Sequence, residues 1–304
     1  MKIAFVEING VNGKMSVSNR NAKILCEILN AKHIKTRKDI KAGYNKIILG
    51  YPSFRADIEA ERLFFKLNPV KNVFWISTEY DVARPSSAYY NNLNIHRICN
   101  YKGRSRNENK EIIKTTSINL NLLISKESNI ITEKKYDCIY YGRYRDDRKV
   151  YFEKYIQKRL YLSTSKKNMK KFKNKGCNPK YLDAISWDEN KETLNLFKYS
   201  LYIEDEYTHS VFNNLANRWY EAGFCNNVVF FDVNCWNTIR KSEIAQYEEQ
   251  IKDYIVNDYQ SLNDKIDYCN KDFEKHLAIQ KGWRINEPQL RLEMINKLKE
   301  IITT

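Results

Sequence analysis

Glycine and proline are scarce in this chain, nine and five among 304 residues, which excludes collagen-like and low-complexity classes. The seven cysteines, at 26, 99, 138, 177, 225, 235 and 269, are odd in number and never form a C-x-x-C pair. They lie inside apolar segments such as Ile24-Leu25-Cys26, so they read as reduced core residues of a cytoplasmic protein rather than as a disulfide framework. The four histidines, His33, His96, His209 and His276, lack ligand spacing, and a zinc site is not expected. No run reaches the roughly 18 apolar residues that a membrane span needs. The amino terminus, Met-Lys-Ile-Ala-Phe-Val, passes directly into a strand pattern without a cleavable leader. A soluble intracellular chain is the expectation.

Acid is also in short supply. Lys and Arg total 52 against 37 Asp and Glu, a net charge of +15, which points to a polyanionic partner and to nucleic acid first. A lysine-rich composition also arises from AT-rich coding, which accounts for part of the excess. The stretch 158–180 holds nine basic residues and no acidic one, with Phe172 among the lysines and Tyr181 directly after them, as a surface for a phosphate backbone would.

The 42% hydrophobic content is enough for a large core, and this length suits two domains. Lys2–Ile8 reads as a strand, Asn9–Lys14 as a glycine-bearing loop and Asn19–Asn30 as a helix. Gly10 and Gly13 do not complete a dinucleotide fingerprint. Lys46–Gly50 and Asn72–Ser77 read as strands around a helix over Ala56–Leu67, an alternation that predicts parallel sheet. After a polar linker at Ser125–Lys135 the alternation resumes. Strands are expected at Tyr136–Tyr141, Arg159–Ser163 and Val228–Asp232, and helices at Asp147–Gln157, Asn190–Lys198 and Phe212–Gly223. The remainder from Ser242 is helical, with a break near Pro288. The acidic triplet Glu204-Asp205-Glu206 is set aside as a metal motif because it falls late, in the second alternating region.

Two stretches carry chemistry. Asp137–Arg148 is a strand ending at Gly142, followed by Arg143, Arg145 and Arg148. A glycine admits a phosphate close to the backbone, helix amides point at it, and guanidinium forks pair with its oxygens. The competing reading is a solvated helix start paired with Asp146 and Asp147. Thr78–Pro85 places Glu79, Asp81 and Arg84 at the carboxyl end of a first-domain strand, where a carboxylate can serve as a base.

In order along the chain, four features resemble the DNA β-glucosyltransferase family of T-even bacteriophages. They are Met1-Lys-Ile-Ala, the Asp137-x-Ile-Tyr-x-Gly142-x-Tyr-Arg145-x-x-Arg148 segment, the Arg218-x-x-Glu221 helix and the strand ending at Asp232. The resemblance implies an α/β GT-B fold, two Rossmann-like domains facing an interdomain cleft, with a carboxyl-terminal helix crossing back to the first. The expected bounds are 1–130 for an acceptor (DNA)-binding domain, 131–280 for a nucleotide-sugar-binding domain, and 281–304 for the returning helix.

It also implies an inverting glycosyltransferase that moves a sugar, glucose from UDP-glucose, to the hydroxymethyl group of 5-hydroxymethylcytosine or 5-hydroxymethyluracil in double-stranded DNA. The base would be flipped out of the stack. A divalent metal is left open, no membrane is involved, and a cytoplasmic monomer, in the host cytoplasm if phage-encoded, is expected. Arg145 and Arg148 would hold the donor diphosphate, Arg218 would add a phosphate or sugar contact, and Glu221 would accept from the ribose hydroxyls. Arg143 stands where the family has a small hydroxyl residue. The catalytic base would be Glu79, by its place after Thr78, or Asp81, by residue type and its place ahead of Arg84-Pro85; Asp81 is preferred. Two other readings remain: a GT-B enzyme with a glycan, lipid or small-metabolite acceptor, and an inactive binding module of the same fold.

Overall fold

The computed structural model describes residues 1–8, 17–50, 57–77, 93–100, 112–124, 133–142, 144, 153–155, 159–174, 179–183, 185, 190–204 and 214–304. The chain divides into two units, one made of Met1–Ile124 with Pro288–Thr304 and the other of Ser125–Glu287.

In the first unit β1 (Ile3–Val6) leads to α1 (Val17–Leu29), β2 (Lys32–Ile34), β3 (Lys46–Leu49), α2 (Ile58–Leu67), β4 (Asn72–Ser77), β5 (Asn94–Cys99), β6 (Ile112–Ser117) and α3 (Leu120–Ile124). The six strands form one parallel sheet in the order β2-β1-β3-β4-β5-β6. Side chains alternate across a strand, and both faces of this sheet are covered. Ile3, Phe5, Ile48, Phe74 and Ile98 pack on one side with α1 and α3. Ala4, Val6, Ile47, Leu49, Val73 and Trp75 pack on the other with α2 through Ala60, Phe64 and Phe65. Helix α2 begins where Asp57 accepts from the Ala60 amide at 3.0 Å, a side-chain cap for an otherwise orphaned donor.

In the second unit β7 (Tyr136–Tyr141), β8 (Leu160–Ser163), α4 (Lys166–Asn174), β9 (Lys180–Leu182), α5 (Asn190–Asn195), β10 (Phe197–Tyr202), α6 (Asn217–Phe224) and β11 (Val228–Asp232) follow in order. After them come α7 (Trp236–Ile239), α8 (Glu248–Ile251), β12 (Ile255–Val256), α9 (Tyr259–Asn270) and α10 (Phe273–Trp283). This sheet is also parallel, ordered β12-β11-β10-β7-β8-β9. Gln280 of α10 grips the middle of β11, donating to the Val229 carbonyl at 2.9 Å and accepting from the Val229 amide at 2.8 Å.

The last helix, α11 (Glu287–Thr303), carries Pro288 in its first turn, where a missing N–H costs nothing. The break expected near Pro288 falls just before it, at 284–286. From Pro288 onward α11 belongs to the first unit. Leu298 and Ile302 are fully buried against the α1 and α3 face, and Arg291 Nε donates to the Leu123 carbonyl at 3.1 Å.

Several boundaries differ from the sequence expectation. Strand β10 takes Phe197 and Lys198, which the sequence pattern places in a helix, because Phe197 pairs with Tyr136 at the start of β7. Helix α6 starts at Asn217, not Phe212. Ala216 is extended (φ −71, ψ 163), and its amide is taken by the Tyr202 hydroxyl at 2.8 Å. No strand is expected from the sequence at β2, β5, β6 or β9, and β12 (Ile255–Val256) interrupts the stretch expected to be helical from Ser242 on, because it pairs with the end of β11. Six of the seven cysteines are described, and all six are buried.

Candidate functional site at the carboxyl edge of the second sheet

The second sheet reverses its winding between β7 and β10, since β8 and β9 extend it to one side and β11 and β12 to the other. In an open parallel sheet the carboxyl ends at such a reversal are where ligands bind, because the two flanking loops part there. Gly142 follows β7, Ile203 and Glu204 follow β10, and α6 runs beside them with Arg218 and Glu221 three residues apart, so that they share a side.

Arg218 is the centre of the arrangement. Its Nη1 donates to the Ile203 carbonyl at 2.8 Å and to Glu204 Oε1 at 2.5 Å. Its guanidinium carbon lies 5.0 Å from the Tyr140 ring centre and 5.5 Å from that of Tyr141, within cation–π range. The Arg218 and Glu204 side chains are only 12% and 5% exposed, so the pair acts in a weakly screened setting. Gly142 completes the wall. A Cβ there would stand 3.3 Å from both Arg218 Nη2 and the Tyr140 hydroxyl, so the bare backbone lets the guanidinium come close. The Gly142 amide donates to the Ser163 carbonyl at 3.2 Å, and its carbonyl accepts from Thr164 Oγ1 at 2.7 Å. The turn after β7 is thereby tied to the end of β8.

Glu221 is buried and accepts from the Tyr141 hydroxyl at 2.8 Å. Burial, and next the Glu221 charge, hold the Tyr141 phenol well above its ordinary pKa, so it stays a donor. Two carboxylates and one guanidinium give these described groups a formal balance of −1. Any excess of positive charge for a diphosphate must come from other residues.

Of the residues singled out in the sequence, the structure brings together Gly142, Arg218 and Glu221. Arg143, Arg145, Arg148, Glu79 and Asp81 lie outside the described residues. Glu204 is the residue that sequence reasoning missed. In the sequence it stands within the acidic triplet Glu204-Asp205-Glu206, whereas its place after β10 makes it the partner of Arg218. Among the described residues no group of three or more His, Cys, Asp or Glu side chains could hold a metal ion, and no helix is long and apolar enough to cross a membrane.

No protein-family model matches the chain, and no curated protein matches it. Solved structures do. T4 phage β-glucosyltransferase, in a structure concerned with substrate binding and a proposed catalytic mechanism, is 16% identical, with 100% of both chains covered and a TM-score of 0.75. The T4 enzyme in complex with UDP and Mn2+ is 14% identical, again over 100% of both chains, with a TM-score of 0.76. An α-glucosyltransferase in complex with UDP and a 13-mer DNA containing a HMU base is 11% identical over 100% of both chains, with a TM-score of 0.51. What this chain shares with these proteins is the fold, the two-sheet α/β architecture of the GT-B glycosyltransferases.

Proposed function

We propose that this chain is a glycosyltransferase that transfers glucose from UDP-glucose to the hydroxymethyl group of a modified pyrimidine, 5-hydroxymethylcytosine or 5-hydroxymethyluracil, in duplex DNA. The observation that carries this reading is the Arg218–Glu221 pair at the winding reversal of the second sheet, in a chain that matches T4 phage β-glucosyltransferase over its whole length. The first unit would take the acceptor and the second the nucleotide sugar.

The residues divide the work by their chemistry. Arg218 meets the donor diphosphate with Arg145 and Arg148, and Glu221 accepts from the ribose hydroxyls. A carboxylate from the segment after β4, Asp81 or Glu79, takes the proton of the hydroxymethyl group as its oxygen attacks the anomeric carbon. The bond from that carbon to the diphosphate oxygen breaks, and its electron pair leaves with UDP. Guanidinium groups fixed beforehand stabilise the growing charge without reorganising. Attack opposite the leaving group turns an α-linked donor into a β-linked product. Inversion is favoured over retention because the overall likeness is greater to the β- than to the α-glucosyltransferase, with TM-scores of 0.75 and 0.51.

A duplex DNA partner is supported by charge on the second unit as well, the unit that carries the donor site. Lys166, Lys167, Lys170, Lys171 and Lys173 on α4 are all exposed. The Nζ atoms of Lys171 and Lys173 lie 5.9 Å and 5.2 Å from the Tyr144 and Tyr181 ring centres. Arg159, from the same basic stretch, is spoken for by Asp137 and Asp267 at 2.8 Å and 2.7 Å, and so does not belong to that surface.

The deciding experiment incubates the protein with plain and hydroxymethylated DNA and a panel of nucleotide sugars, then weighs the released nucleosides by mass spectrometry. A hexose gain confined to a hydroxymethylated nucleoside, with UDP-glucose as donor, is expected. Transfer to none of the DNAs overturns the acceptor, and no turnover of any donor overturns the enzyme. The anomeric proton coupling of the product separates inversion from retention.

A further inference from the structure

Helix α6 has a second side. Arg218 and Glu221 face β7, whereas Trp219 and Gly223 are gripped by Arg284, which directly follows α10. The Arg284 guanidinium carbon lies 3.5 Å from the centre of the Trp219 ring, and Nη2 donates to the Trp219 carbonyl at 2.7 Å. Glu287 closes the cluster. Its Oε1 accepts from Trp219 Nε1 at 3.1 Å and stands 3.5 Å from Arg284 Nη1. The Arg284 and Glu287 side chains are 10% and 5% exposed.

Gly223 belongs to the same construction. A Cβ at that position would stand 1.9 Å from Arg284 Nη1 and 2.0 Å from its guanidinium carbon. The guanidinium thus occupies the space in which any other residue would place its side chain. Next to it the Tyr220 hydroxyl donates to Glu243.

Packing alone does not call for this arrangement. Burying a guanidinium and a carboxylate is costly in desolvation, and aliphatic side chains of similar volume usually stabilise a core as well or better. A planar fork adds direction. Stacking on the indole sets how far α6 stands from its neighbours, and the bond to the Trp219 carbonyl sets its rotation about its own axis. Helix α6 has eight residues, too few to hold its own orientation. A small rotation would carry Arg218 and Glu221 out of register with Gly142 and Tyr141, and misplacement of this kind is expensive for binding.

We propose that Arg284, seated by Gly223 and Glu287, is a positioning residue for the donor site: it clamps α6 so that Arg218 and Glu221 engage the donor together. The inference rests on the reading of those two residues as donor contacts. Arg284 acts through α6, by its contacts with Trp219 and Glu287, rather than on the donor.

The test measures UDP affinity by calorimetry alongside Tm, in the full chain. Arg284→Met and Gly223→Ala are each expected to weaken UDP binding tenfold or more and to raise the KM for UDP-glucose in step, with the KM for DNA kept within twofold. Arg284→Lys keeps the charge but not the fork, and is expected to remain at least fivefold weak. Tyr199→Phe is the control for simple destabilisation. It removes the hydroxyl bonded to Asn270 at 3.1 Å in the same unit, lowers Tm, and is expected to leave UDP affinity within twofold.

Arg218→Ala calibrates the donor reading. If the wild type does not bind UDP, or Arg218→Ala binds it as the wild type does, the donor site and the clamp fall together. If Arg218→Ala abolishes binding while folded Arg284→Met or Gly223→Ala keeps wild-type affinity, only the clamp is overturned. Should Arg284→Met fail to fold, Gly223→Ala, which displaces the guanidinium without deleting it, decides the matter by the same criterion.

Discussion

The two units share one plan and fill it differently. Each is a six-stranded parallel sheet whose first strand has later strands on both sides. In the first unit the faces are covered mainly by aliphatic side chains and phenylalanine, among them Ile3, Phe5, Leu25, Ile48, Leu120 and Leu298. In the second the interior is rich in groups that are apolar at one end and polar at the other: Tyr140, Tyr141, Tyr155, Tyr199, Tyr202, Tyr220 and Trp219 are all buried. The hydroxyls of Tyr141, Tyr155, Tyr199, Tyr202 and Tyr220 and the indole N–H of Trp219 are tied to Glu221, Asp232, Asn270, Ala216, Glu243 and Glu287. An aliphatic interior is held by area removed from water, about 25 cal/mol per Å², a driving force without direction. An aromatic interior pinned by directional bonds resists rotation of a helix, and it is this interior that surrounds the candidate site.

Substitutions can break the comparison on either side. The largest effect is expected from Arg218→Ala, which removes the ion-pair partner of buried Glu204 and should cost about 3–5 kcal/mol of stability and about 10²–10³ in turnover. Adding Glu204→Ala should restore much of the stability, as read by denaturant unfolding, and none of the turnover. Recovery of both would make the pair purely structural. Leu298→Ala deletes fully buried methyl groups on the α1 and α3 face of the first unit, and should cost about 2–5 kcal/mol while UDP affinity stays at the wild-type value. A parallel loss of affinity would show that the two interiors do not act separately.

A smaller effect is expected on DNA. Replacing the five lysines of α4 by glutamine should lower affinity and flatten the log–log salt dependence by about 0.9 for each phosphate contact removed. An unchanged slope takes α4 out of the DNA surface. The smallest effect is one of pH. Burial holds the imidazoles of His96 in β5 and His276 in α10 below their ordinary pKa. The unfolded chain therefore binds more protons than the folded one between each folded value and about 6.5. Stability is then fully present above about 6.5 and declines as pH falls through the folded values. His276→Phe should flatten that decline in chemical unfolding curves, and an undiminished pH dependence in the variant would remove His276 from its cause.

Much of the fold was legible because parallel strands buried on both faces leave short β-branched and apolar runs that stand out between helices. Asn72–Ser77 and Tyr136–Tyr141 were read to the residue. Lys32–Ile34 was not, because three residues with two polar side chains carry no period, and its pairing with β1 is a tertiary fact. The α6 boundary failed for a related reason. Leu215 and Ala216 continue the helical spacing on paper, but the Tyr202 hydroxyl takes the Ala216 amide and holds the backbone extended. In the site, Gly142, Arg218 and Glu221 could be named from motif and order. Glu204 and Arg284 could not, since each acts by reaching a residue far from it in sequence, and neither has a local pattern.

The position of α11 has a consequence for the order in which the molecule is made. Residues 125–287 form a unit of their own, whereas Leu298 and Ile302 close the α1 and α3 face of the other. At translation rates of about 5–20 residues per second, the inserted unit takes on the order of ten seconds to emerge before that closing helix does. The part synthesised first is therefore completed last. Until α11 emerges, Leu298 and Ile302 are missing from the apolar face of the sheet whose strands were made first.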